Sequence, residues 1–153
     1  MVKSEYTEGI EGKNVARGML KNAQISTKYS TEVARAIRGQ NVVKATAFLN
    51  RVIAQEEFVP LVRFHKKVPH RRGRSKSGVK SGRYPKNVAK AFKKLIANVM
   101  ANADNKGLNS KKLQIVSCTA SQGRKWPRII KTPGRILRVN RSLTHVDMVT
   151  REA

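Results

Sequence analysis

The chain has 153 residues and a formal net charge of +24, from 33 Lys and Arg against 9 Asp and Glu. Its length suits one domain with a modest core, and its charge far exceeds what solubility needs; such a balance selects a polyanionic partner, because neutralising phosphates releases condensed counterions. A lone cysteine excludes a disulfide framework and a thiolate metal cage, no apolar run approaches the ~18 residues of a membrane span, and Met1–Glu5 lacks the apolar core of a signal peptide, so a cytoplasmic protein is expected.

In chain order, residues 1–11 hold Glu5, Glu8 and Glu11 with no periodic apolar pattern, which predicts a peripheral tail. Val15 to Ile25 reads as a strand with Met19, Ala23 and Ile25 on one side. Ser30 is placed to cap a short helix with Glu32 in its first turn, where the helix dipole favours an anion; Val33 and Ile37 form its buried stripe and Gly39 ends it. Asn41 is positioned to cap a second helix, whose Val42, Ala45, Phe48 or Leu49, Val52 and Ile53 recur at helical spacing through Gln55.

From Val59 to Tyr84 the character changes. No acid interrupts the chain between Glu57 and Asp104, and the insert carries Arg63, Lys66, Lys67, Arg71, Arg72, Arg74, Lys76, Lys80 and Arg83 among Gly and Ser. That composition buries no core, so the insert is expected to lack structure alone and to order on RNA; the blander alternative is a nonspecific basic or nuclear-import patch. Pro85 and Lys86 open a third helix whose Val88, Phe92, Leu95, Val99 and Ala103 fall on a single stripe. Gly107 closes it, with Leu108 folding back on the last turn.

Residues 111–150 read as an extended hairpin. Leu113–Thr119 and Ile136–Val149 are its strands, and Gly123–Arg135 a turn-rich connection. Arms of about 13 residues at ~3.3 Å each would reach on the order of 40 Å, and an isolated ribbon is only marginally stable in water. No acid lies between Asp104 and Asp147, whereas Arg124, Lys125, Arg128, Lys131, Arg135, Arg138 and Arg141 do. So basic a ribbon repels itself, which points to an arm laid into folded RNA rather than a solvated surface hairpin. Trp126 has two uses open to it, stacking on an exposed base or packing against the ribbon. The sum is an α+β domain spanning 1–153: three helices packed on a small antiparallel sheet made from the first strand and the hairpin base, with the hairpin protruding.

No catalytic residues, metal ligands or cofactor are expected. His65 and His70 are five apart in a loop, His145 lies in a strand, and no carboxylate pair shares a helix face with a histidine. Cys118, mid-strand, reads as a small packing residue.

Several stretches together resemble one family. They are Val15-Ala16-Arg17 with Lys21-Asn22 and Ile25-Ser26; Lys44-Ala45-Thr46-Ala47-Phe48-Leu49; Gly82-Arg83-Tyr84-Pro85-Lys86; Asn102-Ala103-Asp104-Asn105-Lys106-Gly107-Leu108; and Thr144-His145-Val146-Asp147-Met148-Val149. In this order and spacing, over roughly residues 12–150, they resemble the large-subunit ribosomal protein family numbered twenty-two in bacteria and seventeen in eukaryotes, and the long insert before Gly82 looks like its archaeal and eukaryotic type. The resemblance implies a structural component that binds large-subunit rRNA across several domains, with its globular part near the peptide exit and its hairpin running inward to line the exit tunnel. The inner tip would map to about Gly123–Gly134, with Arg124, Lys125, Trp126, Pro127, Arg128, Ile129 and Ile130 lining the wall. Implied partners are large-subunit rRNA, neighbouring large-subunit proteins and the nascent polypeptide passing the tip; no membrane and no homo-oligomer are expected. The rival class is a free basic RNA- or DNA-binding chaperone or architectural protein.

Overall fold

A computed structural model of the chain describes residues 12, 14–73 and 77–152; the expected tail at 1–11, and Arg74 and Lys76 of the insert, lie outside the described residues. The architecture is α+β. Strands β1 (Val15–Ala23), β4 (Leu113–Thr132) and β5 (Arg135–Glu152) form an antiparallel sheet in the order β1-β5-β4, and β2 (Val59–Pro60) pairs with β3 (Gly82–Arg83). Helix α3 (Lys86–Asn105) lies against β1, α1 (Thr27–Ile37) against β4, and α2 (Val42–Ala54) packs on α3.

The α3 stripe forms as its periodicity demands. Val88, Phe92, Leu95, Val99 and Ala103 are all buried, joined by Ala89 and Ile96. Pro85 is the residue just before the helix, one place earlier than expected. At the other end Gly107, at φ +72°, lets its own amide and that of Leu108 donate to Asp104 and Ala103, so two carbonyls of the last turn are satisfied. Asn41 caps α2 as expected, its side chain accepting from the Val43 amide at 2.9 Å.

Helix α1 corrects the sequence reading. It begins at Thr27, not after Ser30, because the buried Ser30 hydroxyl turns back on the Ser26 carbonyl at 2.8 Å instead of capping. Glu32 therefore lies mid-helix and buried, away from the first turn. The phase of β1 also differs. Its core members are Ala16 and Leu20, with Gly18 between them, rather than Met19 and Ala23. Glycine is required at 18 because a Cβ there would press on Val99 and Leu95 of α3.

Strand β4 switches phase by a bulge. Leu113 and Ile115 face the core; the register shifts between Ile115 and Ser117, leaving Val116 exposed, and Cys118 and Ala120 then point inward. One extra residue flips every later side chain to the other face. The connection expected to be turn-rich, Gly123–Arg135, is strand almost throughout, and the reversal is the two-residue Pro133-Gly134. Backbone pairing satisfies both arms, a second bulge between Gln122 and Lys125 absorbs Gly123 and Arg124, and Pro127 costs little in a ribbon of two edge strands. Proline followed by Gly134 at φ +78° fits a type II turn, and the Thr132 hydroxyl donates to the Arg135 carbonyl at 2.9 Å.

Candidate nucleic-acid interface

The arm leaves the globular part where β1 ends. Asn22, at φ +51°, donates its amide to Nδ1 of His145 at 3.2 Å, and its side-chain oxygen accepts from the Arg124 amide at 3.2 Å. Gly123 fits beneath them, since a Cβ would meet the Asn22 oxygen and the His145 ring at 2.9 Å. His145 is thus a structural acceptor at the root of the arm. Past this junction nearly every side chain is exposed, and Lys125 to Thr132 spans about 25 Å at ~3.3 Å per residue.

Register decides what each face of the arm carries. On one, Trp126, Arg128 and Ile130 stand opposite Arg141, Val139 and Leu137, with Thr132 opposite Arg135; on the other, Lys125, Pro127, Ile129 and Lys131 stand opposite Ser142, Asn140, Arg138 and Ile136. Cations and large apolar side chains therefore alternate on both faces. Trp126 is 55% exposed and Ile136 67%, so the indole does not pack away against the ribbon. A surface basic and apolar on both sides has the composition to be enclosed by nucleic acid, with phosphates taken by the guanidinium and ammonium groups and bases by the apolar ones.

The insert is not structureless. Val62, Arg63 and Phe64 donate their amides to the buried Glu32 carboxylate at 3.1, 2.7 and 3.0 Å, Phe58, Val59 and Leu61 are buried, and β2 pairs with β3. Arg71 is held by its amide on the Lys80 carbonyl, by Nε on the Gly82 carbonyl and by its guanidinium 5.5 Å from the Tyr84 ring. The segment's ends thus carry apolar anchors and its first turn a buried anion, features that its composition alone does not display. The basic side chains of Arg63, Lys66, Lys67, Arg71, Arg72, Lys80, Arg83 and Lys86 are nonetheless exposed, as are those of Arg124, Lys125, Arg128, Lys131, Arg135, Arg138 and Arg141.

What the sequence reading missed is the support beneath these cations: Glu32, Asn22, Gly123 and the partner of His145. Glu32 had a signal, being the only acid between Glu11 and Glu56. Burial pushes the Cys118 thiol up to about 12, against an opposing pull from Arg38 and with a smaller push from Asp147, so it stays protonated and inert at neutral pH. Among the described residues no cluster of His, Cys, Asp or Glu is arranged to hold a metal, and no helix is long and apolar enough to cross a membrane.

The family model described as ribosomal protein L22p/L17e matches residues 18–151. A large ribosomal subunit protein uL22 from Ignicoccus hospitalis is 43% identical over 155 residues, covering 96% of each chain. Its namesake from Cenarchaeum symbiosum is 41% identical over 147 residues, covering 95% of each. One from Methanopyrus kandleri is 35% identical over 148 residues, covering 95% of this chain and 91% of its own.

Proposed function

Because the chain belongs to the ribosomal protein L22p/L17e family, in its archaeal and eukaryotic type, it is a structural, non-enzymatic constituent of the large ribosomal subunit in the cytoplasm, and we propose that it binds the RNA of that subunit across several of its domains. Its partners there are rRNA and neighbouring ribosomal proteins. The globular part sits near the peptide exit, and the arm runs inward to line the tunnel, with Arg124, Lys125, Trp126, Pro127, Arg128, Ile129 and Ile130 on its outgoing strand facing RNA or the nascent polypeptide. The protein enters as a single copy.

The observation that carries this reading is the paired register of the arm. Cations stand on both faces of a ribbon that has no acid between Asp104 and Asp147 and no core to lean on. Lys and Arg contacts of this kind position a protein on phosphates without reading sequence. The insert, with Arg63, Lys66, Lys67, Arg71, Arg72, Lys80 and Arg83, and Lys86 at the start of α3, supplies the contacts of the globular part; Arg74 and Lys76 belong to the same proposal.

The test has two readouts. Untagged protein should cosediment with large subunits in high salt, whereas a free basic module would wash off. Removing residues 126–141 and joining Lys125 to Ser142 through Asn-Gly, a two-residue hairpin loop, should leave the globular part docked while rRNA deep in the tunnel changes its chemical reactivity. Unchanged tunnel reactivity in reconstituted subunits would refute the placement of the arm.

A further inference from the structure

We propose that the root of the arm holds a dedicated pocket for one RNA phosphodiester, formed by Arg35, Arg38 and Arg63; the proposal rests on the RNA-binding reading above and deepens it by joining Arg63 to two arginines that reading does not use. A concavity of about 270 Å³ lies between α1, the turn after β2 and β4 beside Cys118 and Thr119. All three arginines line it and no carboxylate does.

Each arginine is brought there by a different constraint. Arg35, in the last turn of α1, and Arg38, the residue that caps its end, both line this space. Arg38 is oriented by donating Nη2 to the Cys118 carbonyl at 3.3 Å. Arg63 is placed through its backbone, whose amide donates to the Glu32 carboxylate at 2.7 Å. That carboxylate is taken up by three amides and does not line the concavity. A lining with three arginines and no carboxylate favours an anion in that space. Planar guanidinium forks match the oxygens of a phosphate, which a point-like ammonium does not.

Position adds to chemistry. Cys118 and Thr119 precede the Gly123 bulge on β4, so a phosphate seated here lies at the start of the strand that carries Arg124, Lys125 and Arg128 outward. The pocket would hold the RNA backbone at the point where the arm departs, fixing the entry direction of the ribbon.

The experiment measures how the affinity of the full chain for a large-subunit rRNA transcript falls with salt. Arg35 and Arg63 are exposed, so R35Q/R63Q should melt like the unaltered protein. Its log–log salt slope should be shallower, by at most roughly 0.7–0.9, the share of one phosphate, because Arg38 alone holds that phosphate more weakly. Arg38 is kept because it also braces β4. R35K/R63K should retain the charge-driven slope yet bind more weakly than the unaltered protein, since ammonium groups cannot make the forked contact. As a reference, R128Q/R138Q on the arm should reduce the slope in either background. A flat slope for the unaltered protein would remove the RNA reading itself. A steep slope that R128Q/R138Q reduces and R35Q/R63Q leaves unchanged would overturn the pocket alone.

Discussion

The insert and the arm are both long, basic and without acids, yet they are built on opposite principles. The insert is anchored from within: Glu32 holds three consecutive amides, Phe58 and Leu61 are buried, and Gly82 is pressed against the Phe58 ring. The arm past Gln122 buries nothing and stands on ladder hydrogen bonds plus one junction at Asn22 and His145. Charge therefore identifies the class of partner in both, but says nothing about order. Order follows from whether a segment's ends find apolar or ionic anchors in the domain.

The contrast can be broken by substitution, with the shared core setting the scale. Leu95→Ala, at the centre of the α3 stripe, should cost about 2–5 kcal/mol by chemical denaturation; a much smaller loss would mean that the stripe carries little of the fold. Glu32→Ala should cost about 2–3 kcal/mol, because three amides lose a charged acceptor and water reclaims some of them. Amide exchange should accelerate at Val62–Phe64 and stay unchanged along β4 past Gln122. Equal acceleration in both would erase the distinction between the two appendages.

Gly82→Ala should destabilise by about 1–3 kcal/mol, since the added methyl group would overlap the Phe58 ring and approach the Val59 carbonyl at 2.9 Å. Its effect should again be confined to the insert, read as faster exchange at Leu61. Asn22→Ala should cost about 1 kcal/mol, from the missing hydrogen bond to Arg124 and a left-handed backbone that alanine tolerates less well. Asn22→Asp, which keeps the acceptor, should recover part of it. If Asn22→Ala also loosened the insert, the two appendages would be coupled through the core.

Much of the fold is legible in the sequence. The α3 stripe, the Asn41 cap and the Gly107-Leu108 closure follow from local spacing, and local spacing is what a sequence displays. The start of α1 is not legible, because Ser30 has the look of a cap while its hydroxyl is spent on Ser26. The phase of β1 is hidden by Gly18, which carries no side chain to mark its face. Gly123 and Pro127 read as breakers, yet a bulge and a pair of edge strands accommodate them. For the interface, the identity of the basic residues is plain from charge alone. Their division between two faces depends on two bulges in β4, which only pairing reveals, and the order of the insert depends on an acid some thirty positions away.

The smallest expected effect on stability is the most informative about the arm. Replacing Arg124, Lys125, Arg128 and Lys131 together by Ala removes four exposed cations from β4 beyond the reach of the core. Melting of the free protein should change little, because exposed side chains in a ribbon contribute through pairing and partner, not burial. Self-repulsion falls as well, so a slight gain is the direction to expect. Affinity for rRNA should fall and lose steepness with salt, by a slope of roughly 0.7–0.9 for each phosphate no longer neutralised. Because Arg128 lies on one face and Lys125 and Lys131 on the other, single replacements separate an enclosed ribbon from one lying on a surface. Enclosure requires that Arg128→Ala and Lys131→Ala each reduce the slope. If only one face responds, RNA covers only that side. The other side is then the one open to the passing polypeptide.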